Sequence, residues 1–241
     1  MYWEYDSRIA RRWNLDPKPN ASISQYSCFA GNPILYQDPK GDTIRFPKPQ
    51  WWGNKEFSWS FQEDINDIYS SKYGKALVRQ LHSSEVYINV TEAWALFGGD
   101  LSDAKKSITD ADVDGSPRIF SDGTKNVSLS YASVKNVSID DVNVQNSWEI
   151  LAHEFVHARD FANSYFKKIK KDHNLNDKQI HDIGEIRSMI FTNAMRIEKY
   201  GIDADVRTEY RGEKLLKDDG LTPIKDYGFD VTEGLLETVE N

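Results

Sequence analysis

The spacing of apolar residues divides the chain into a weakly patterned start, a mixed middle and a helical second half. Apolar positions over residues 62–84 fit an amphipathic helix, which we expect to be interrupted near Gly74. Val86, Ile88 and Val90 alternate with other residues and predict a strand. The run "RIFSDGTKNVSLSYA" predicts a hairpin with Asp122-Gly123 in its turn.

Two helices are predicted in the second half. The first extends from about Ser147 to about Lys168 and carries an apolar stripe that would anchor it on a core: Trp148, Leu151, Phe155, Ala158 and Ala162. The second begins at an Asn176 or Asp177 cap and ends at Gly201. The tail that follows has short apolar runs between acidic residues, and we expect it to be loose. Together these elements predict an α+β fold with a small β-sheet.

The start of the chain is rich in turn signals, including the dipeptides Asp16-Pro17 and Asp38-Pro39. Residues 1–42 are therefore predicted to form an irregular N-terminal arm with little core of its own. Residues 43–60 are expected to be a linker or an opening hairpin, with Trp51, Trp52 and Trp59 as anchors. Residues 61–241 would form the main domain.

Composition narrows the function classes. Hydrophobic residues make up 39% of the chain and the net charge is −8, which is typical of a globular protein and disfavours a nucleic-acid binder. The single cysteine, Cys28, excludes an internal disulfide and any zinc site built from several thiolates. No stretch has the length of a membrane span, and the first residues lack the apolar core of a signal peptide. If the protein leaves its cell, we expect another route.

The segment "LAHEFVHARDF" carries the main candidate chemistry. His153 and His157 are four residues apart, so in a helix they project from one face and can share a metal ion. Glu154 sits beside the first histidine. In this HExxH arrangement two imidazoles bind Zn²⁺ and the glutamate takes a proton from the attacking water. The bare motif leaves two interpretations open, a zinc site and an ordinary helix with surface histidines.

A catalytic zinc site needs a third protein ligand. Asp160 follows His157 by three residues, too close on the same helix to reach the metal without strain, so we expect a supporting or surface carboxylate there. The metzincin pattern would also require a glycine at Asp160 and a histidine at Asn163. Glu185, which lies 28 residues after His157 on the second predicted helix, is the better ligand candidate. This combination is the arrangement of gluzincin-type, zincin-like domains.

Arg207 and Tyr210 follow the ligand helix at R-x-x-Y spacing. A guanidinium or a phenol can stabilise the negative charge that develops on a carbonyl oxygen during peptide cleavage. The spacing alone favours ordinary surface residues on an irregular tail.

The first part of the chain resembles a known family. The pieces "YDSR", Arg12-Trp13, "DPKP", "YSCFAGNPI" and "DPKGD" resemble, in this order, the C-terminal end of the Rhs (YD-repeat) core. The resemblance implies that the chain is the tail of a large shell-forming polypeptide. It also implies that an effector domain, usually a toxin, follows residue 42.

The second half resembles another family. "HEFVHARD", the helix "GEIRSMIFTNAMRIEKYG" and "RTEY" together resemble the NleD-like (M91) effector metallopeptidases, which share this pattern with clostridial neurotoxin light chains. The resemblance implies that His153, His157 and Glu185 bind Zn²⁺ and that Glu154 is the base. It makes Arg207 and Tyr210 stabilisers of the transition state.

These observations lead to one hypothesis and two alternatives. The hypothesis is a zinc endopeptidase that serves as the toxin tail of an Rhs-type protein, delivered into a target cell without its own signal peptide. Its partners would be a protein substrate, a cognate immunity protein and the upstream Rhs shell, with no nucleic acid and no membrane span.

The strand "NVSLSYA" would be the edge that aligns the substrate. The alternatives are a nuclease toxin, for which His181-Asp182 lacks a second cluster, and an inactive zincin-like structural tip.

Overall fold

The computed structural model describes residues 60–93, 108–131 and 146–236 with their side chains. It describes only the backbone of residues 5–6, 11–12, 44–45, 55–59, 137–139 and 143–145. The chain forms two compact units, Met1–Gly41 and Asp42–Asn241. In the first unit, strands β1 (Tyr5–Asp6) and β2 (Arg11–Arg12) pair antiparallel. The rest of the predicted Rhs-core remnant lies outside the described residues.

The second unit is a mixed α+β structure. Its described elements are β3 (Ile44–Arg45), α1 (Lys55–Tyr69), α2 (Lys72–Ser83), β4 (Val86–Glu92), β5 (Ile108–Asp110), β6 (Arg118–Ile119), β7 (Lys125–Tyr131), β8 (Val137–Ile139), β9 (Asn143–Gln145), α3 (Ser147–Ala162), α4 (Tyr165–His173), α5 (Asp177–Tyr200), β10 (Glu209–Tyr210) and β11 (Glu213–Lys214). Strand β3 and the first residues of α1 thus fall in the interval 43–60, where a linker or hairpin was expected. The side chains of the three tryptophans proposed as anchors lie outside the described residues.

The main sheet has the strand order β3-β4-β7-β5, and β6 also pairs with β7. Strands β3, β4 and β7 are parallel, while β5 and β6 are antiparallel to β7. The predicted strand and hairpin are confirmed: Val86, Ile88 and Val90 are buried, and Gly123 in the hairpin turn has φ +81°. The second hairpin strand, β7, lies inside the sheet between β4 on one side and β5 and β6 on the other.

The helices confirm the predicted pattern with two differences. The first predicted helix breaks at Ser70–Ser71 rather than near Gly74, because the Ser71 side chain accepts a hydrogen bond from the Gly74 amide and so starts α2. Gly74 is needed for another reason, since a Cβ there would lie 1.9 Å from the carbonyl oxygen of Ile68. The helix expected over 147–168 breaks after α3, because Ser164 adopts φ 54° before α4 begins.

The second long helix, α5, agrees with the prediction at both ends. Its N-terminus carries a capping box formed by Asn176 and Gln179, and it ends at Gly201. The core lies where α3 packs on α1, α2, α5 and strand β7. Ser147, the first residue of α3, donates a hydrogen bond of 2.6 Å to Asp64 of α1. This bond fixes the start of α3 against α1. None of the described helices combines the length and apolar composition that a membrane span requires.

Candidate metal centre

Helix α3 carries the two histidines of the HExxH motif. Its apolar stripe is buried as expected at Trp148, Leu151, Phe155 and Ala158, which sets the opposite side of the helix toward a cleft. The Nε2 atoms of His153 and His157 are 3.2 Å apart, and their rings meet edge to face with centroids 4.9 Å apart. Two ring nitrogens therefore converge on one point.

Helix α5 brings Glu185 to the same point. Its Oε2 lies 3.2 Å from Nε2 of His153, and its Oε1 lies 3.6 Å from Nε2 of His157. The preceding residue, Gly184, permits this approach, because an added Cβ would lie 3.3 Å from Cε1 of His157 and 3.3 Å from the ring of Phe166. A side chain at this position would require the ring of His157 or of Phe166 to shift by a few tenths of an ångström.

These three side chains fit a metal ion. One donor atom from each of them lies within 4.8 Å of the others. The buried Oε2 of Glu185 accepts no hydrogen bond from the described residues, so the fold leaves a desolvated carboxylate oxygen facing two imidazoles. Two imidazole nitrogens bound tetrahedrally to one zinc ion at about 2.0–2.1 Å lie about 3.3 Å apart, close to the separation seen here. Two histidines and a glutamate are also a donor set that catalytic zinc uses.

Electrostatics within the cluster support the same arrangement. Burial on its own would raise the pKa of Glu185, but the imidazoles of His153 and His157 hold that pKa well below its usual value. Burial lowers the pKa of His157, yet Glu185 outweighs this and raises it. Glu185 is therefore an ionised carboxylate, which is the form that binds a metal ion.

Glu154 lies next to the cluster, and the pKa of its carboxyl group is shifted in the opposite direction to that of Glu185. Its side chain is buried, and burial raises the pKa of its carboxyl group, against the opposing effect of the two imidazoles. The hydroxyl of Thr109 in β5 donates a hydrogen bond of 2.6 Å to its Oε2. A carboxyl group with a raised pKa beside a metal site is suited to accept and return a proton.

The R-x-x-Y element faces the same cleft. The side-chain amide of Asn193 in α5 makes two hydrogen bonds with the backbone of Arg207. Its Nδ2 donates to the carbonyl oxygen at 2.8 Å, and its Oδ1 accepts from the backbone amide at 2.9 Å. The guanidinium of Arg207 lies over the ring of Tyr210, 5.3 Å from the centroid. Burial, followed by the charge of Glu185, raises the pKa of Tyr210 to about 12. The phenol is therefore neutral and can donate a hydrogen bond.

All six of the site residues expected from the sequence line one cleft of about 720 Å³: His153, Glu154, His157, Glu185, Arg207 and Tyr210. Strand β5 and the loop after it also line the cleft. Strand β5 lies at the end of the sheet, and no described strand pairs with its outer side. The expectation that "NVSLSYA" is the substrate-aligning edge is wrong, because β7 is paired on both sides. The available edge near the site is β5.

Two other residues take positions that the sequence left open. Asp160 is buried, so the surface alternative is wrong, and it pairs with Arg159 and Arg187 and not with the histidines. His181, one turn before Glu185, lies at the rim of the cleft with its ring centroid 5.6 Å from that of Tyr210. Its i, i+4 spacing to Glu185 was the available signal for this position.

Comparison with known proteins identifies a family. The family model of the M91 peptidases, described as an effector protein, matches residues 49–211. This range includes all six residues that line the cleft. No curated protein and no solved structure matches the chain.

Proposed function

The chain belongs to the M91 peptidase family of effector proteins, and from this premise we propose that it is a zinc-dependent endopeptidase. One observation carries the proposal: two imidazole nitrogens and a glutamate carboxylate converge within 4.8 Å on a cleft that also holds Glu154. His153, His157 and Glu185 would hold the zinc ion. When bound, it would polarise the scissile carbonyl group and lower the pKa of a water molecule.

The chain's own residues would perform the proton transfers. Glu154 takes a proton from the water as its oxygen bonds to the carbonyl carbon, and then delivers that proton to the nitrogen as the carbon–nitrogen bond breaks. Tyr210 and Arg207 face the cleft with a neutral phenol and a cationic guanidinium, which suits them to stabilise the oxyanion that forms on the carbonyl oxygen.

The position of β5 at the end of the sheet supports an extended polypeptide as substrate. The outer side of β5 offers backbone groups to which an extended segment can add as a further strand. Thr109 of this strand contacts Glu154, so a substrate aligned there would lie beside the base. We therefore propose that the cleaved segment is unfolded or lies in an exposed loop of the target protein.

The biological setting is a further part of the proposal. The resemblance of residues 1–42 to the end of an Rhs core supports a toxin domain carried at the tail of an Rhs-type polypeptide. Such a domain would be delivered by that shell and act inside a target cell, and the producing cell would need a cognate immunity protein. The family description as an effector supports delivery into another cell.

The test compares the wild type with Glu154→Gln in a target cell and in vitro. Glu154→Gln keeps the size of the side chain and leaves the three ligands in place, so it should retain one zinc ion and lose proteolysis and toxicity. Glu85→Gln, at an exposed position before β4, is the matched control and should behave as the wild type. Cleaved proteins would be identified by mass spectrometry.

The other two interpretations give different results in this test. If Glu154→Gln remains toxic, proteolysis is not the activity. Degradation of DNA or RNA by both the wild type and Glu154→Gln would support a nuclease. A wild-type protein that binds zinc and cleaves nothing would support an inactive structural tip.

A further inference from the structure

The hydroxyl of Thr109 makes a contact that none of the motifs includes. Its Oγ1 lies 2.6 Å from Oε2 of Glu154 and 3.2 Å from the main-chain carbonyl oxygen of the same residue. The contact joins β5 to α3 across 45 residues of sequence. It is the one side-chain hydrogen bond that Glu154 receives from the described residues.

The chemistry of the two groups determines the direction of this bond. An ionised carboxylate can only accept, and a threonine hydroxyl has one proton to donate. The separation lies in the range of about 2.5–2.7 Å that is typical of a hydroxyl bound to a carboxylate. The main-chain oxygen is farther away and is the weaker acceptor, so the proton of Thr109 points to Oε2.

The bond constrains a side chain that would otherwise be able to rotate. Glutamate has three side-chain torsions, and Glu154 projects from α3 into a cleft of about 720 Å³. Because Thr109 holds Oε2, the bond favours the carboxylate orientation of this structure, in which Oε1 is the oxygen left for a further proton.

We propose that Thr109 is a positioning residue for the peptidase reaction. It holds Oε2 of Glu154 so that Oε1 receives the proton of the attacking water and passes it to the leaving nitrogen, while Thr109 keeps its own proton throughout. The inference rests on the proposed function. Since Thr109 belongs to the strand on which an extended substrate would align, the same residue sets the distance between that strand and the base.

The kinetic test uses three variants of the full chain. Thr109→Val removes the hydroxyl at nearly constant size, and Thr109→Ser restores it. Thr91→Val is the matched control, because Thr91 lies in the same sheet and its hydroxyl binds the carbonyl oxygen of Leu129, away from the site.

For Thr109→Val we expect kcat to fall by about 10- to 100-fold, with KM, zinc content and melting temperature close to those of the wild type. Thr109→Ser should recover kcat to within about threefold, and Thr91→Val should not lower it. A kcat that is unchanged in Thr109→Val would overturn the proposal. A kcat that is equally low in Thr109→Ser would overturn it as well, because the hydroxyl would then not be the operative group.

A second measurement does not depend on activity. Crystal structures of the metal-free wild type and Thr109→Val should show Oε2 of Glu154 bound to residue 109 in the wild type and the carboxylate rotated away in the variant. The same carboxylate orientation in both structures would reject a positioning role for Thr109. If the wild type cleaves no protein, the proposed function fails, and these two structures still decide whether Thr109 orients Glu154.

Discussion

Arg187 of α5 binds Asp160 of α3 through two hydrogen bonds, from Nε to Oδ2 at 2.6 Å and from Nη2 to Oδ1 at 3.3 Å. Both side chains are only 3% exposed. Arg159 donates to Oδ1 as well, at 2.9 Å from Nη2. This buried ion pair links the helix of the two histidines to the helix of Glu185 and therefore helps to keep the proposed ligands together.

Replacing Asp160 should destabilise the protein strongly. Asp160→Asn leaves two buried guanidinium groups without their anion, and breaking such a pair typically costs about 3–5 kcal/mol in the free energy of unfolding. Asp218→Asn is the control, because it breaks the exposed pair with Lys214 and should change stability little. Urea denaturation measures the free energy of unfolding of both variants. An equal loss of stability in the two would contradict the role of the buried pair.

The same pair should make stability depend on pH in the acid range. Burial opposes the ionisation of Asp160, but Arg159 and Arg187 outweigh it and hold its pKa below the usual value. The contribution of this carboxylate is therefore fully present above the unfolded-state pKa of about 3.9 and is lost as the pH falls through the lower folded-state pKa. The stability difference between the wild type and Asp160→Asn should stay constant from pH 7 to pH 5 and shrink below about pH 4. A difference that shrinks between pH 7 and pH 5 would contradict the lowered pKa.

Metal addition should stabilise the protein through His157. A ligand present at about 100 times its dissociation constant stabilises the folded state by about 2.7 kcal/mol. Zinc should therefore raise the melting temperature of the wild type, a chelator should reverse the rise, and His157→Ala should remove most of it. His173→Ala is the control, because His173 stacks on Phe229 at a centroid distance of 3.9 Å and is not part of the ligand cluster. A similar zinc response in His157→Ala would contradict the proposed site.

Tyr210 should contribute to catalysis and not to metal binding. With a pKa raised to about 12, its phenol stays protonated at neutral pH and can donate a hydrogen bond to an oxyanion. Removal of one such donor typically lowers kcat by about 10²- to 10³-fold, so Tyr210→Phe should show this loss with little change in KM and full zinc content. Tyr200→Phe, at the exposed end of α5, is the control and should have wild-type kinetics. An active Tyr210→Phe would remove the phenol from the proposed mechanism.

Substitution of Gly220 tests how tightly the segment that carries Arg207 is packed. Gly220 and Gly228 both have positive φ, +65° and +79°, so alanine is strained at either position. An added Cβ at Gly220 would also lie 2.7 Å from Val206 and 2.8 Å from Nδ2 of Asn193, whereas at Gly228 it would meet no atom within 4 Å. Gly220→Ala should therefore destabilise the protein by about 1–3 kcal/mol more than Gly228→Ala. Equal melting temperatures of Gly220→Ala and Gly228→Ala would show that the segment around Val206 can shift to accommodate the added methyl group.

Local signals in the sequence were sufficient for several elements. The alternation of Val86, Ile88 and Val90 predicts β4, and the cap at Asn176 predicts the start of α5. The helix break at Ser164 was not predicted, because its positive φ falls on a residue that rarely adopts one. The position of β7 inside the sheet was also missed, since strand order depends on contacts between residues far apart in the chain.

For the candidate site as well, some residues could be predicted from the sequence and others could not. The spacing of His153 and His157 follows from helix geometry, and Glu185 stood out as a carboxylate within an apolar stretch. Thr109 and Asn193 could not be found from sequence, because their roles are contacts with Glu154 and with the backbone of Arg207, 45 and 14 residues away. The sequence left a supporting and a surface position open for Asp160, because its partner Arg187 lies on another helix, 27 residues away.

The guanidinium groups beside Asp160 also determine how far the domain must extend when it is produced on its own. Arg187 donates from Nη1 to the carbonyl oxygens of Val231 at 2.6 Å and Glu233 at 3.3 Å, and Arg159 donates to that of Leu235 at 3.4 Å. The family match ends at residue 211, so an expression boundary drawn there would delete all three acceptors and four buried side chains, those of Leu215, Leu216, Val231 and Leu235. A recombinant domain should therefore retain the chain to residue 236 at least.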